Sequence, residues 1–406
     1  SYKQQDGFRY HARDLALKRA SLEGVPVVLG SATPSMETRH NAARGRHRLL
    51  ELDRRAGAAA LPRIEFIDLK LHRPREGISA PLLQAIDARL ERGEQSIVFL
   101  NRRGFAPIAH CHGCGWQAKC ARCDARLIYH HDLRQFRCHH CGGVGAARLS
   151  CGECGEKLAL IGAGTQRLEQ HLRARFPQAR ISRLDRDRIK GARELARELD
   201  AIRRGEIDII IGTQLIAKGH DFAAVTLVGV VNSDQGLFSH DFRAPEYLFQ
   251  QLTQVSGRAG RARAPGQVLI PTAHPEHHTL PSMRRPDFAG FARDCLDERR
   301  AADYPPFSHL ALWRAESTRA DAALQFLRHV AARGASLAAG GEVEIMDAVI
   351  SPMERLAGRY RAQLLARSRR RAALHRLLAR WVEAIENDPK SKRARWSLDV
   401  DPMEMF

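Results

Sequence analysis

Eight of the nine cysteines in this chain lie in one segment, between Cys111 and Cys154. They form four C-x2-C pairs, separated by 5, 14 and 9 residues. Each pair can present two thiolates to one tetrahedral ion, so the spacing predicts two closed zinc sites that stabilise a segment with few core residues. The predicted ligands are Cys111, Cys114, Cys120, Cys123, Cys138, Cys141, Cys151 and Cys154.

The pairing of these cysteines has two solutions, nested or consecutive, and we favour the nested one because it brings the two ends of the insert together. The inner set is then Cys120, Cys123, Cys138 and Cys141. The outer set is Cys111, Cys114, Cys151 and Cys154. An iron–sulfur cluster and a redox dithiol are the alternatives, and four matched pairs disfavour both. Four neighbouring histidines could replace a thiolate but are expected on the surface: His110, His112, His139 and His140.

Helices alternate with short apolar strands on both sides of the cysteine segment, which is typical of a doubly wound parallel sheet in an α/β protein. A buried strand is predicted at 25–29, where it leads into Gly30-Ser-Ala-Thr-Pro-Ser35. The other predicted strands are 96–100, 180–184, 207–212, 225–231 and 267–271. In such a sheet the active loops follow the carboxyl ends of the strands, where the short motifs of this chain fall.

The segment Asp303-Tyr-Pro-Pro-Phe307 marks a change in the order of elements. Beyond it the pattern predicts strand, helix, two strands, helix and strand, which is the ferredoxin-like split βαβ arrangement. The second and third strands are predicted at 342–349 and 360–365.

The chain carries a formal net charge of +19, and its pI is near 10.2. Such an excess of basic residues favours a polyanion, most often a nucleic acid, although well solvated faces of an arginine-rich protein explain it equally. No apolar run approaches the length of a membrane span, and no charged-then-apolar leader opens the chain. We therefore expect a cytoplasmic monomer without a membrane partner.

The segment Gln251-Leu-Thr-Gln-Val-Ser-Gly-Arg-Ala-Gly-Arg261 matches Q-x-x-G-R-x-G-R, the last motif of superfamily-two helicases. Arg258 and Arg261 lie three positions apart and would share one helical face. Their planar, permanently charged guanidinium groups can stabilise a transferring γ-phosphate, so we predict that both are catalytic. Gln254 and Gly257 are predicted to bind the nucleotide. The alternative is an arginine pair on a solvated helix.

Two short segments upstream resemble the fifth helicase motif. Gly212 and Thr213 end a predicted strand, where backbone N–H groups and a hydroxyl can hold a DNA phosphate. Lys218 is predicted to contact DNA too, and Asp221 corresponds to the residue that commonly contacts the nucleotide ribose. Thr165 opens a helix whose N-terminus suits a DNA phosphate.

Ser31 and Thr33 belong to a segment that resembles the third helicase motif, Gly30-Ser-Ala-Thr33. That motif couples the two lobes of a helicase motor. We therefore predict a coupling role for both hydroxyl side chains.

Together these motifs resemble the PriA family of primosomal replication-restart helicases, over nearly the whole chain. Besides the cysteine segment, the resemblance rests on Ser1–Asp14, Phe99–Gly104, Leu237–Ala244, Tyr304–His309, Gly358–Leu365 and Leu398–Pro402. It implies an ATP-dependent 3′-to-5′ DNA helicase that recognises stalled or D-loop forks and initiates primosome assembly. Forked or single-stranded DNA, primosome proteins, single-stranded-DNA-binding protein and a bacterial nucleoid setting are implied with it, as are two zinc ions and, in the full-length protein, ATP and Mg²⁺.

The resemblance also implies a division of the chain and further DNA contacts. In this division, helicase lobe one ends within residues 1–50, which include an aromatic-rich loop and the Gly-Ser-Ala-Thr-Pro-Ser motif. The RecA-like lobe two is formed by 51–104 and 161–275, and the zinc insert between them is 105–160. A linker at 276–303 leads to the C-terminal DNA-binding domain at 304–406. Tyr2, Phe8 and Tyr10 would stack on bases, and the alternative is a core role for one or more of them. The candidates for DNA contact in the C-terminal domain are Arg359, Tyr360 and Arg361, for which the alternative is a solvated strand edge.

The chain contains no G-x-x-x-x-G-K-[ST] segment and no DEEH box. Because those motifs hold the phosphates and Mg²⁺, we expect no ATP hydrolysis by this chain alone. The alternatives are a non-catalytic, zinc-containing DNA-binding scaffold and another superfamily-two DNA translocase.

Overall fold

Six strands, all paired in parallel, form the central sheet of this computed structural model, in the order β1-β11-β10-β2-β9-β8. They are β1 (Arg63–Asp68), β2 (Gln95–Leu100), β8 (Ile181–Leu184), β9 (Ile209–Gly212), β10 (Val225–Val231) and β11 (Gln267–Thr272). The structure describes the chain apart from residues 1–2, 5–8, 53–61, 101–107, 112–113, 115, 117, 123–126, 131–134, 139–140, 142, 146–149, 162–164, 186–187, 190, 214–215, 217–221, 235–240, 261–265, 278–279, 285–286, 339 and 406.

Helices cover both faces of this sheet, so it is doubly wound as predicted. Ile97 and Phe99 face one apolar cluster and Val98 and Leu100 face the other, because successive side chains of a strand point to opposite faces. The helices whose bounds lie within the described residues of this part of the chain are α1 (Ala12–Glu23), α2 (Met36–Ala43), α3 (Ala80–Glu91), α4 (Thr165–Arg175), α5 (Ala192–Arg203), α6 (Ala244–Ser256), α7 (Pro281–Arg284) and α8 (Phe288–Ala301).

The prediction of a buried strand at 25–29 is wrong. These residues form no strand, and Val28 is 85% exposed. A strand needs a neighbour to satisfy its N–H and C=O groups, and none pairs with it in the described part of the chain. The edge strand β1 was missed, because its charged residues interrupt the apolar run.

Five short strands form a separate antiparallel sheet in the cysteine segment, in the order β6-β5-β4-β3-β7. They are β3 (Ile108–His110), β4 (Ile128–His130), β5 (Gln135–Arg137), β6 (Val144–Gly145) and β7 (Ala159–Ile161). Pairing of Ile108 with Ile161 places the first and last strands side by side. The segment therefore leaves the central sheet and returns to it at one place.

The C-terminal sheet has the predicted split βαβ topology, with β14-β15-β12-β16 as neighbours and β13 also paired to β15. Its elements are β12 (His309–Ser317), α9 (Ala322–Leu337), β13 (Glu344–Ile345), β14 (Val349–Leu356), β15 (Arg359–Ser368), α10 (Arg371–Glu386), a 3-10 helix (Pro389–Arg393) and β16 (Arg395–Val400). Trp313 and Trp381 are fully buried between the sheet and the two helices. The strand predicted at 342–349 contains only the two-residue β13, and the second long strand lies at 349–356, where Pro352 and two charged residues disguise the apolar pattern.

Among the described residues, no helix combines the length and the apolar character that crossing a membrane requires.

Candidate zinc centres and motor site

The outer cysteine set is assembled at the base of the insert. The Sγ atoms of Cys111, Cys114, Cys151 and Cys154 all lie within 4.8 Å of one another. Cys111 Sγ is 3.4 Å from Cys154 Sγ, and Cys114 Sγ is 3.5 Å from Cys151 Sγ. Zn–S bonds of about 2.3 Å place tetrahedral thiolates about 3.8 Å apart, so four soft donors at this separation fit a closed zinc site.

The inner set lies at the other end of the insert, where Cys120, Cys138 and Cys141 form a second cluster. Cys120 Sγ is 3.7 Å from Cys141 Sγ, and the Arg122 N–H donates to Cys120 Sγ at 3.4 Å. The fourth predicted ligand, Cys123, lies outside the described residues. The described thiols thus fall into the nested grouping, and the side chains of the four neighbouring histidines lie outside the described residues.

The inner cluster contacts the C-terminal domain through the hairpin between β14 and β15. Met353 and Leu356 pack against Cys120 and Cys138. The Gly358 N–H donates to the Arg122 carbonyl at 2.6 Å, and the Arg355 guanidinium donates to the Ala121 carbonyl. Nothing in the cysteine spacing indicated this contact.

The arginine motif begins on α6 and continues into the turn after it. The helix ends at Ser256, and Arg258 lies in the turn beyond it. Arg258 is therefore not on the helical face that the sequence predicted it to share with Arg261. Gly260 has φ of 73°, a conformation that ends the helical turn and favours glycine. Gln254 is exposed and Arg258 is buried, while Arg261 lies outside the described residues.

The Ser-Ala-Thr segment packs against the same helix. Gln250 Nε2 donates to the Thr33 carbonyl at 3.3 Å, and the Met36 N–H donates to Glu246 Oε1 at 3.4 Å. Thr33 is buried, whereas Ser31 is exposed and its hydroxyl accepts from the Thr33 N–H at 3.1 Å. Of the two predicted coupling residues, Thr33 therefore contacts the arginine motif helix, and Ser31 contacts Thr33.

A buried group of four charges surrounds this contact, and the sequence reasoning missed it. Arg299 of α8 bonds Glu246 at 2.7 Å, and Arg243 bonds Glu37 at 2.8 Å. Burial and then the Glu37 charge raise the pKa of the Glu246 carboxyl. Burial also raises the pKa of the Glu37 carboxyl, but Arg243 and Arg299 lower it further, so its net pKa lies below the ordinary value. The sequence signal that could have found this group is Glu246, a glutamate on the apolar side of its helix.

The fifth-motif residues lie at the carboxyl edge of the parallel sheet. A Cβ on Gly212 would meet the Leu184 carbonyl oxygen at 2.6 Å, so close packing of β9 on β8 requires glycine there. Thr165 lies at the same edge, where its hydroxyl donates to Asp185 Oδ2 at 2.6 Å. A carboxylate therefore stands beside the predicted phosphate position. Thr213 is half-buried. Lys218 and Asp221 lie outside the described residues.

The C-terminal candidates divide between the two faces of their sheet. Arg359 and Arg361 lie on the face opposite the helices, and Tyr360 points to the other side of the strand. Glu316 pairs with Arg359 at 3.8 Å and with Arg395 at 3.5 Å, which leaves this end of the open face basic.

The opening segment of the chain covers another part of the same face. Lys3 Nζ lies 2.9 Å from Asp399 Oδ1, and both side chains are almost fully buried. Tyr10 is 36% exposed. Tyr2 and Phe8 lie outside the described residues.

Three family models match parts of the chain. Residues 300–403 match the primosomal protein N C-terminal domain, and residues 120–144 match the PriA DNA helicase Cys-rich region domain. Residues 148–263 match the helicase conserved C-terminal domain. Among solved structures, S. cerevisiae Dbp5 bound to RNA and ADP BeF3 matches with a TM-score of 0.35 and 14% identity, covering 74% of this chain and 59% of that one.

Curated relatives align with the whole chain. Replication restart protein PriA of Haemophilus influenzae is 41% identical over 406 residues, which are 100% of this chain and 55% of that protein. The Bacillus subtilis and Rickettsia conorii proteins of the same name are 36% and 35% identical over 100% of this chain, and the chain covers 51% and 62% of them. The chain thus spans about half the length of these relatives and matches their C-terminal portion. It belongs to the family of replication restart protein PriA.

Proposed function

We propose that this chain is part of an ATP-dependent 3′-to-5′ DNA helicase that recognises stalled or D-loop forks and initiates primosome assembly. The observation that supports it best is the contact of Thr33 and Met36 with the helix of the arginine motif. In a two-lobed motor, that contact links lobe one to the lobe that supplies Arg258 and Arg261. Primosome proteins, single-stranded-DNA-binding protein and a cytoplasmic, nucleoid-associated monomer complete the proposal.

The roles of the nucleotide site follow from the chemistry of its residues. Arg258 and Arg261 stabilise charge on the γ-phosphate, Gln254 and Gly257 contact the nucleotide, and Asp221 contacts its ribose. ATP and Mg²⁺ require the P-loop and DEEH groups, which this chain does not contain. The chain therefore supplies half of an ATP site.

The cysteine insert has a structural role in this proposal. Two zinc ions, held by the outer set and by the inner set with Cys123, would cross-link the insert without an open coordination position. A closed four-thiolate site does no catalysis. The role of each ion would be to hold the backbone of the insert at its four cysteines.

DNA contacts are proposed at both sheets. Beside the parallel sheet, the phosphate backbone of a DNA strand would be contacted by Gly212, Thr213, Lys218 and Thr165. Tyr2, Phe8 and Tyr10 would stack on bases. Arg359 and Arg361 would bind phosphates on the open face of the C-terminal sheet, and Tyr360 would contact DNA from the other side of the strand.

ATP hydrolysis in the presence of DNA tests the motor assignment. The chain alone should show none, and the chain joined to a P-loop lobe should hydrolyse ATP. In that longer protein, Arg258→Ala or Arg261→Ala should reduce kcat by roughly 10³-fold, the scale of an arginine finger. Arg293→Ala, an exposed arginine on α8, is the matched control. Turnover by the isolated chain, or a longer protein that binds DNA without hydrolysing ATP, contradicts the assignment and favours the scaffold alternative.

The salt dependence of DNA binding tests the second surface. Binding should weaken steeply with salt, and Arg359→Ala with Arg361→Ala should reduce the slope of log Kobs against log[salt] by roughly two, about one for each lost phosphate contact. The control pair Arg328→Ala with Arg380→Ala removes two exposed charges from the helices on the opposite side. Equal salt slopes for the two double variants would mean that DNA does not bind the face that carries Arg359 and Arg361.

A further inference from the structure

Three polar side chains of α6 follow one another at intervals of four residues: Glu246, Gln250 and Gln254. Arg258 continues the interval into the turn beyond the helix. Residues four apart lie on nearly one face of a helix. Gln250 contacts Thr33 of the Ser-Ala-Thr segment and Glu246 contacts Met36, the first residue of α2. Gln254 and Arg258 are the candidate nucleotide residues. The helix that contacts Thr33 and Met36 therefore also carries Gln254 and leads into Arg258.

Gln250 binds the backbone of the Ser-Ala-Thr segment, and Glu246 binds the first amide of α2, which follows that segment. Gln250 Nε2 donates to both the Thr33 carbonyl, at 3.3 Å, and Glu246 Oε1, at 3.1 Å. The Met36 N–H is one of the N-terminal amides of α2 that have no carbonyl partner within their own helix. It donates to Glu246 Oε1, and the positive end of the helix dipole favours that carboxylate.

The position of Glu246 is itself fixed from a third helix. Arg299 Nη2 bonds Glu246 Oε2 at 2.7 Å, and the two side chains are only 2% and 3% exposed. A buried carboxylate needs such a partner, since an uncompensated charge is strongly destabilising. One oxygen of the carboxylate thus accepts from Arg299 of α8, and the other accepts from the Met36 N–H of α2 and from Gln250.

We infer that Gln250 and Glu246 are positioning residues, which pass movement of the Ser-Ala-Thr segment to the helix that carries Gln254 and leads into Arg258. This inference rests on the proposed helicase function. When the segment and the start of α2 move on binding DNA or ATP, the hydrogen bonds from Gln250 to the Thr33 carbonyl and from the Met36 N–H to Glu246 move α6 with them. Loss of these bonds leaves hydrolysis in place but disconnects it from unwinding.

The functional test uses Gln250→Glu in the protein that includes the P-loop lobe. This substitution keeps the shape of the side chain but removes both donated hydrogen bonds. The number of base pairs unwound per ATP hydrolysed should fall about fivefold or more, within the usual range of coupling energies, while the KM for ATP stays unchanged. Gln251→Ala, the neighbouring glutamine with no contact to the segment, should keep the wild-type ratio. A merely structural role would lower the midpoint of thermal unfolding without changing the ratio.

Hydrogen exchange in the present chain gives an independent readout. The amides of 36–39 should exchange faster in Gln250→Glu and in Gln250→Ala than in Gln251→Ala. Unchanged exchange in both Gln250 variants, or a wild-type unwinding ratio in an active Gln250→Glu protein, overturns the inference. If the unsubstituted longer protein hydrolyses no ATP, the proposed function fails instead, and the exchange experiment still decides whether Gln250 holds the segment.

Discussion

The parallel sheet and the cysteine insert belong to one stretch of chain but are held together by different forces. The sheet is packed on both faces by large apolar side chains, such as Ile97 and Val98, which are fully buried. The insert has strands of two or three residues, and two of the five buried members of its larger apolar cluster are Cys111 and Cys151. Where the cysteines are themselves the core, folding depends on what the thiolates bind.

Removal of metal should separate the two regions most strongly. Structural zinc contributes about 10–16 kcal/mol in small zinc domains. A chelator should therefore unfold the insert while the parallel sheet stays folded. Metal analysis should give two zinc ions per chain before chelation, and hydrogen exchange should rise in β3 to β7 but not in β2 or β10. Loss of both regions together would show that the sheet depends on the insert.

The two cysteine sets should differ in how far their damage spreads. Cys120→Ser should release one ion and leave the outer set occupied, because the described sets share no ligand. Cys111→Ser should disturb both, since the outer set ties together the two ends of the insert. Zinc content and exchange of the Cys138 amide measure this. Identical results for the two variants would support consecutive pairing.

A core substitution in the parallel sheet should have the opposite selectivity. Leu82 is fully buried on α3, and its Cδ1 lies against Gly229 of β10. Leu82→Ala should destabilise the sheet by about 2–5 kcal/mol through lost burial and a cavity, with zinc content unchanged. Leu71→Ala, at an exposed position, is the control for thermal unfolding. A fall in zinc content with Leu82→Ala would contradict the independence of the two regions.

The smallest effect is expected where the inner cluster meets the C-terminal hairpin. Met353 is half-buried against Cys120 and Cys138, so Met353→Ala should cost about 1 kcal/mol. Hydrogen exchange of the Gly358 amide, which bonds Arg122, should rise. Val349→Ala, exposed on the same strand, should leave it unchanged. Chelation should reproduce the effect of Met353→Ala, and a Gly358 amide insensitive to both would mean that the hairpin is ordered without the insert.

How much the sequence predicts follows the same division. The continuous apolar runs at β2, β9 and β10 predict buried parallel strands, because only a strand covered on both faces is apolar throughout. The edge strand β1 alternates charged and apolar residues and escaped notice. Val25 to Leu29 misled the prediction for the converse reason, since burial depends on partners that a run of valines does not specify. The nested thiols follow from spacing and chain closure.

Contacts between distant elements were the part that the sequence did not predict. Glu246 lies on the apolar side of its helix, but nothing along the chain selects Arg299 as its partner until α6 and α8 are packed together. Likewise, Arg122 and Gly358 are joined only once both sheets have formed. Such pairs carry no local signal, because their partners are selected by topology and not by spacing along the chain.

The buried contact of Lys3 has a consequence for the order of events during synthesis. Lys3 Nζ donates to the Val400 carbonyl, 397 positions away, and pairs with Asp399. Ribosomes deliver a chain from its N-terminus at about 5–20 residues per second. Lys3 must therefore wait in water for roughly 20 to 80 seconds before its partner leaves the ribosome. The parallel sheet and the sheet of the cysteine insert can form during that interval, but the opening segment reaches its final place only after β16 has been made.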